Sequence, residues 1–229
     1  MADMRTGDLA YGREYWDTYD DGAGYGDGAV WEDTAHIVKE LFCVDEEGRD
    51  VSNGTNLIDI GCANGYLVRH AQRRNIESFG LDISTYAIQH ASKFVRGSVN
   101  VWDFAQDELG PYYGFRKFDI VTCLETLEHI VPATTDIALT NLRNLWKPEG
   151  GVGLWAICVE ENEGWETDPT HVNVQPRRWW EDKLREHDIY VDKAKVEWVR
   201  TFSQFRNHEG VFVVSGFPDP APEEDVVEL

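Results

Sequence analysis

The stretch NLIDIGCANGYLVRH, residues 56–70, decides the fold of this chain. An apolar run ends at Ile60, two glycines follow at positions 61 and 65, and a second apolar run then continues at helical spacing. This pattern predicts a buried strand, a tight turn and a helix, the repeating unit of a parallel α/β sheet. Gly61 and Gly65 permit the turn and let the backbone approach a ligand closely.

An acid close before that turn, Asp59, restricts which ligand the loop can hold. A dinucleotide loop requires G-x-G-x-x-G with a pyrophosphate at the helix N-terminus, and that spacing is absent here. The carboxylate of Asp59, at the mouth of the loop, would oppose a phosphate by roughly 1 to 4 kcal/mol per charge pair at about 4 Å. The loop therefore favours a nucleoside that carries a positive charge. The alternative role of Asp59 is that of a turn or capping acid.

Strands and helices alternate on both sides of this unit. We predict strands at 57–60, 78–83, 99–104, 118–125 and 151–158, and helices at 31–42, 65–74, 84–95 and 133–146. A polar insertion, residues 160–176, then precedes a helix at 177–187 and two strand candidates, 189–199 and 210–217, expected to pair as an antiparallel hairpin. The alternation predicts an α/β fold with a doubly wound, mainly parallel sheet in a single domain.

Three acids stand at the ends of three successive predicted strands. Ligands of such sheets lie beyond these carboxyl ends. Asp59 suits a cation, Asp82 can accept the two hydroxyls of a ribose, and Asp103 beside Phe104 offers an acceptor for an exocyclic amine next to apolar surface. Together they describe an adenosine without phosphates that bears a positive group. S-adenosylmethionine meets that description.

These motifs resemble those of the class I S-adenosylmethionine-dependent methyltransferases, over about residues 55–158. The matching segments are LIDIGCANG, GLDIS, VWDF, FDIVTCLETLEHI and LWKPEGG, in the family's order. The resemblance implies a Rossmann-like seven-stranded sheet of order 3-2-1-4-5-7-6 with the last strand antiparallel. It also implies that Asp59 and Gly61 line the methionine part of the cofactor, Asp82 the ribose, and Asp103 with Phe104 the adenine. Further expected cofactor-binding residues are Cys62, Ala63, Gly65, Ile83, Leu124 and Tyr19. Ala63 departs from the glycine that is usual in the family, and Cys62 also suits simple apolar packing.

The end of the fourth strand faces the transferred methyl group in this family. Glu125, Glu128 and His129 lie there, and the small-molecule methyltransferases commonly carry this LEH pattern. We therefore predict catalytic positions at Glu125 and His129, although a polar helix start is an equal alternative for Glu128 and His129. His171, in the insertion that lines the family's acceptor pocket, is predicted to act as a general base or acceptor ligand. Its alternative is a hydrogen bond that holds the loop.

The chain ends differ from the predicted domain, residues 31–218, in composition. Residues 1–30 are rich in glycine and aromatic side chains, among them Tyr11, Tyr15, Trp16, Tyr19 and Tyr25. We predict a lid that covers the cofactor, with a packing arm as the alternative. Residues 219–229 are acidic and contain proline, which predicts a disordered tail.

Composition limits the class of protein. The formal net charge is -21, with 42 acidic and 21 basic residues, which argues weakly against a nucleic-acid partner. Only seven of those basic residues are lysines, so the acidity also fits a salt-rich environment. The four dispersed cysteines and the histidine spacing indicate neither a disulfide framework nor a metal site. No signal peptide or membrane span is indicated, which predicts a cytoplasmic protein, monomer or homodimer.

The acceptor is expected to be a small molecule. An oxygen of a sugar or of another secondary metabolite is the first candidate. Two other functions stay open at this point. One is a methyltransferase that modifies tRNA, rRNA or protein, which would favour a basic or groove-like surface. The other is a module that binds S-adenosylmethionine without catalysis.

Overall fold

A seven-stranded sheet forms the centre of the computed structural model, which describes residues 11–19, 27–106, 116–148, 150–164 and 167–218. The strand order is β3-β2-β1-β4-β5-β7-β6, as expected, and β7 runs antiparallel to both of its neighbours. The strands are β1 (Asn56–Ile60), β2 (Glu77–Asp82), β3 (Val99–Val101), β4 (Ile120–Leu124), β5 (Val152–Ala156), β6 (Tyr190–Val191) and β7 (Val211–Ser215). The predicted α/β class and sheet order are confirmed.

Helices cover both faces of this sheet. They are α1 (Arg13–Tyr19), α2 (Ala29–Phe42), α3 (Tyr66–Gln72), α4 (Thr85–Gln89), α5 (Thr135–Leu145), α6 (Arg177–Glu186) and α7 (Lys193–Val199), with 3₁₀ turns at Leu127–His129 and Pro132–Thr134. Successive residues of a strand point to opposite faces, so Ile58 and Ile60 pack in one apolar cluster and Leu57 in the other. Asp59 projects to the same side as Leu57. The sheet is thus buried on both sides, which explains its continuous apolar strands.

The C-terminal part differs from the predicted hairpin. The segment 189–199 forms only the short strand β6 and then the helix α7, so the two antiparallel strands are separated by a helix rather than a tight turn. The carboxylate of Asp192 caps α7 by accepting a hydrogen bond from the backbone N–H of Lys195 (2.9 Å). Val196 and Val199, one helical turn apart, are buried. The alternating apolar residues of this segment resemble a strand pattern, but the cap at Asp192 favours a helix.

Two other elements end well before their predicted last residue. The strand expected at 99–104 ends at Val101, and the helix expected at 84–95 ends at Gln89. Ser84 does cap that helix, because its side chain accepts a hydrogen bond from the backbone N–H of Ala87 (3.1 Å). Asp103 consequently lies in the loop that follows β3.

The described residues contain no helix with the length and apolarity that crossing a bilayer requires. All four cysteines carry free, buried thiols. The predicted tail, residues 219–229, lies outside the described residues.

Candidate active site

A cavity of about 490 Å³ opens at the carboxyl ends of β1, β2 and β4. This is the edge at which open α/β sheets bind ligands, and the volume suits a molecule of nucleoside size. The N-terminal segment and the start of α2 contribute the opposite wall. The lining residues are Tyr11, Tyr15, Trp16, Val30, Trp31, Gly61, Ala63, Asp82, Ile83, Asp103, Phe104, Leu124, Glu125, Thr126, His129 and Ile130.

The glycine loop is built so that its backbone reaches the cavity wall. Gly61 has φ 76°, and a Cβ there would lie 2.1 Å from the hydroxyl oxygen of Thr126. Ala63 also has a positive φ, 48°, which costs about 1 kcal/mol for a residue with a side chain. The glycine usual in the family at this position would avoid that cost. Tight packing of Gly61 on Thr126 joins the loop to the end of β4.

Asp82 joins two loops at the wall of the cavity. Its Oδ2 accepts a hydrogen bond from the backbone N–H of Ala63 (2.8 Å), and its Oδ1 accepts one from the backbone N–H of Ser84 (2.7 Å). Burial raises the pKa of this carboxyl, and the two hydrogen bonds act in the opposite direction. Each oxygen retains a second lone pair for a ligand hydroxyl.

Asp103 and Phe104 form the neighbouring part of the wall. The carboxylate of Asp103 accepts hydrogen bonds from the backbone N–H of Ala105 (3.1 Å) and from the side-chain amide of Gln106 (2.9 Å). The backbone carbonyl of Phe104 accepts a hydrogen bond from the side chain of Asn141 (2.8 Å), which ties this loop to α5. A polar acceptor and an aromatic surface therefore lie side by side.

Three of the predicted cofactor-binding residues lie behind the wall rather than in it. Asp59, Cys62 and Gly65 do not line the cavity. Asp59 is buried beneath the loop, where the hydroxyl of Thr122 donates a hydrogen bond to its carboxylate (2.7 Å). Burial raises the pKa of Asp59 to about 7, although the Thr122 hydrogen bond opposes the shift. Cys62 packs among small apolar residues, and Gly65 starts α3 at φ 75°.

The N-terminal segment is attached to the cavity by a polar contact. The indole N–H of Trp16 approaches the backbone carbonyl of Tyr11 (2.9 Å) and the hydroxyl of Ser84 (3.0 Å). The hydroxyl of Ser84 itself donates to the carbonyl of Tyr11 (2.6 Å). Tyr19 ends α1, but its side chain, like all of Tyr25, lies outside the described residues.

Polar side chains collect at the end of β4. Glu125, at φ 47°, contacts Nε2 of His208 through its carboxylate (2.6 Å). Nδ1 of His129 lies 3.2 Å from the backbone carbonyl of Thr170 and 3.0 Å from its hydroxyl, which itself donates to Asp168 (2.6 Å). A carbonyl oxygen can only accept, so the hydrogen of a neutral His129 is on Nδ1 and its Nε2 keeps a lone pair. Burial lowers the pKa of His129, and His171 lowers it further.

Glu128 and His171 lie behind His129. The ring centroids of the two histidines are 4.8 Å apart, and His171 does not line the cavity. The backbone carbonyl of Glu128 accepts hydrogen bonds from the N–H groups of Val172 and Asn173 (3.0 and 2.8 Å), which fixes the insertion to the end of β4. The Glu128 side chain is fully buried. That burial raises the pKa of Glu128 well above its usual range, and the charge of Glu125 raises it further.

Sequence reasoning missed several residues of the wall. Val30, Thr126 and Ile130 line the cavity and were not among the predicted site residues. Thr126 follows the predicted Glu125 directly, so only its position at a strand end could have indicated it. Val30 and Ile130 carry no sequence signal, since their side chains resemble those of any packing residue.

Comparison with known proteins supports a family assignment for the central part of the chain. A family model described as a methyltransferase domain matches residues 58–152. A relative from Actinobacillus pleuropneumoniae serotype 5b, a ubiquinone biosynthesis O-methyltransferase, is 30% identical over 105 residues, 42% of this chain and 43% of the relative. This chain spans half or less of the length of the curated relatives that it matches.

Solved structures share the fold across most of the chain. A TehB-like S-adenosylmethionine-dependent methyltransferase from Corynebacterium glutamicum has a TM-score of 0.60 at 13% identity, covering 88% of this chain and 95% of its own. A chain of the complex between the Haloferax volcanii Trm112 methyltransferase activator and a putative methyltransferase has a TM-score of 0.58 at 20% identity, with coverages of 87% and 96%.

Proposed function

We propose that this chain, which carries a methyltransferase domain of the class I S-adenosylmethionine-dependent family over residues 58–152, transfers a methyl group from S-adenosylmethionine to an oxygen of a small-molecule acceptor. One observation carries the proposal. A single cavity joins Asp82 and Asp103, the acids suited to the nucleoside, to Glu125 and His129 at the end of β4. Donor and acceptor would thus meet in one cavity.

The residues of the nucleoside side fit the cofactor. Gly61 and Ala63 bring backbone to the cavity wall, Asp82 offers lone pairs to ribose hydroxyls, and Asp103 with Phe104 offers an acceptor beside an apolar surface. When bound, S-adenosylmethionine supplies an electrophilic methyl group on a sulfonium. We further propose that Ile83 and Leu124, which line the cavity, contact the cofactor, and that Asp59, Cys62 and Gly65 support the loop from behind.

The other end of the cavity suits an acceptor hydroxyl. A hydroxyl must lose its proton as it gains a methyl group, and Glu125, His129 and His171 form the polar group that would assist this loss. His129 reaches the cavity, whereas His171 supports it from behind. The general-base role predicted for His171 is therefore proposed here to operate through His129.

Oxygen acceptors are supported by the curated relatives, which are named as O-methyltransferases. Among small molecules, we propose phenolic metabolites and sugars. A methyltransferase for nucleic acid or protein, or a module that only binds the cofactor, would give different outcomes in the test below.

The test is calorimetry with S-adenosylhomocysteine followed by an acceptor screen. We expect binding by the full chain and a weaker affinity in Asp82→Asn, because an amide offers one acceptor where two backbone N–H groups need two. Asp119→Asn is the matched control, since Asp119 accepts from the backbone N–H of Asn56 (2.9 Å) away from the cavity. Absence of nucleoside binding would overturn the proposal.

The acceptor screen then identifies the product. Incubation with S-adenosylmethionine and a panel of phenols and sugars is expected to give a product heavier by one methyl group. Transfer to tRNA or protein but not to these compounds would indicate a macromolecular acceptor. Nucleoside binding without any transfer would indicate the binding module.

A further inference from the structure

The end of β4 brings the adjacent residues Glu128 and His129 together with His171, which is distant in sequence. One ligand atom each from Glu128, His129 and His171 lies within 4.8 Å of the other two. Ligand atoms that share a tetrahedral metal ion at about 2.1 Å lie about 3.4 Å apart, so a contraction of up to about 1.4 Å would close the group around a cation. Side-chain rotation can supply a movement of this size.

The carboxylate of Glu128 supplies the second, independent observation. Its side chain is fully buried, and within the described part of the chain neither oxygen has a hydrogen-bond partner of ordinary geometry, although the carboxyl of Glu125 and the backbone of Cys158 lie close to it. A buried carboxylate without partners is costly unless a proton or a cation neutralises it. Glu125 and Asp168 add two more carboxylates nearby, and Asp168 lies 4.0 Å from Nε2 of His171. The surroundings therefore favour a positive charge.

The contacts of His129 leave one ring nitrogen available to a ligand. Its Nδ1 faces the backbone carbonyl and the hydroxyl of Thr170, so the neutral ring keeps its lone pair on Nε2. Metal-binding histidines usually have this kind of partner on the second nitrogen. The Thr170 hydroxyl is itself held by Asp168 (2.6 Å). An outer layer that fixes the tautomer is thus present.

We propose that Glu128, His129 and His171 bind a divalent first-row transition-metal ion, with open coordination positions toward the cavity that His129 lines. Two nitrogens and one oxygen favour ions such as Zn²⁺ or Co²⁺ over Mg²⁺, which prefers oxygen ligands. The cysteine and histidine spacing gave no sign of this site, because its members come from two segments that only the fold brings together.

The cation would have a catalytic consequence, which rests on the proposed function. An acceptor hydroxyl that coordinates the ion becomes more acidic. The imidazoles would then serve as ligands, and the proton of the acceptor hydroxyl would pass to water as the oxygen takes the methyl group from the sulfonium. Metal binding itself depends on neither cofactor nor acceptor.

The experiment titrates the chelator-treated full chain with Co²⁺, followed by visible absorption and calorimetry, and then with Zn²⁺ and Mg²⁺. We expect one Co²⁺ or Zn²⁺ per chain and much weaker Mg²⁺ binding. Glu128→Gln and His171→Gln are expected to reduce Co²⁺ affinity at least about tenfold. Glutamine keeps the size of the buried glutamate, and thermal melting verifies the fold of each variant.

The matched control is His36→Gln, since His36 is an exposed histidine of α2 whose neighbour is Glu40. Its Co²⁺ affinity should equal that of the parent chain. Absence of Co²⁺ and Zn²⁺ binding, a preference for Mg²⁺, or equal Co²⁺ affinity in the Glu128 and His171 variants would overturn the proposal. S-adenosylhomocysteine binding by the metal-free chain is measured in parallel, so failure of the proposed function is distinguished from failure of the metal site.

Discussion

The structure around Gly61 explains why the sequence motif has glycine at this position. Its positive φ alone would favour glycine, but its contact with Thr126 is the stronger constraint, because a Cβ would overlap the hydroxyl oxygen at 2.1 Å. Ala63, two residues later, tolerates a positive φ without such an overlap. A positive φ therefore accepts a side chain at Ala63, whereas the packing of Thr126 excludes one at Gly61.

We predict that Gly61→Ala lowers the free energy of unfolding by several kcal/mol and weakens S-adenosylhomocysteine binding. The matched control is Gly48→Ala, because Gly48 has the same φ of 76° with nothing within 4 Å of its Cβ position. That control should cost about 1 kcal/mol, the strain of the left-handed conformation alone. Urea unfolding measures both values. Equal losses in the two variants would contradict the packing argument.

Asp59 predicts a pH dependence of stability. Its folded-state pKa of about 7 lies above the ordinary value, so between about pH 4 and pH 7 the folded chain holds a proton that the unfolded chain has released. Asp59 therefore makes stability fall as pH rises through this window. Asp59→Asn has no such proton to release and its side chain still accepts from Thr122. Relative to the parent chain, its free energy of unfolding should therefore rise by up to about 4 kcal/mol at pH 8.

Urea unfolding of both proteins at pH 5 and pH 8, without nucleoside, measures this difference. The gain from Asp59→Asn should be larger at pH 8 than at pH 5. A difference that is equal at the two pH values would show that Asp59 is charged in the folded chain throughout.

Two elements outside the central motifs complete the cavity. The N-terminal helix α1 and its preceding residues supply Tyr11, Tyr15 and Trp16, and the insertion before α6 supplies the layer behind His129. We propose that residues 1–30 act as the lid expected from their composition, held by the contact of Trp16 with Ser84. The described residues of this segment line the cavity and contribute no strand to the sheet.

We predict that removing residues 1–25 weakens S-adenosylhomocysteine binding on the order of tenfold while the melting temperature changes little. Asp27 is retained, and with it the contact of its carboxylate with Nε2 of His70 (2.8 Å). Trp16→Ala should weaken binding in the same direction, whereas the control Trp198→Ala, at a half-exposed tryptophan outside the cavity, should not. Calorimetry and thermal melting provide the readouts. Unchanged affinity after truncation would exclude the lid.

Charge is the dominant property of the whole molecule. A formal net charge of -21 makes the folded chain repel itself, and exposed charges are screened over about 8 Å at physiological salt. Ion pairs such as Arg49 with Asp45 and Glu47 lie at the surface and contribute little to stability. Added salt screens both the net repulsion and the surface ion pairs. Because the net repulsion is the larger of the two, added salt should stabilise the fold.

We predict that the melting temperature rises by several degrees between 0.05 and 1 M KCl. Sucrose at equal osmolality is the control for preferential exclusion, and its effect should be smaller. Differential scanning calorimetry measures both series. A melting temperature that falls with KCl would show that surface ion pairs outweigh the net repulsion.

The sequence by itself determined the α/β class, and its resemblance to the class I methyltransferases implied the sheet order that the structure has. Local chemistry explains the α/β class, because buried parallel strands read as apolar runs. The set of cofactor residues, chosen because ligand acids follow strand ends in chain order, stays a prediction. The antiparallel pairing of 190–191 with β7 is confirmed, but the strand prediction was wrong for 193–199, where alternating apolar residues resembled a strand and Asp192 caps a helix.

Only the tertiary structure decided which acids reach the cavity and which groups meet behind it. Asp59 is the penultimate residue of β1 and Asp82 the last residue of β2, yet Asp82 lines the cavity and Asp59 is buried under the loop. Glu128, His129 and His171 come together because the insertion folds back and hydrogen-bonds to the carbonyl of Glu128. Contacts between distant segments depend on how loops close in space, and no periodicity along the chain records that closure.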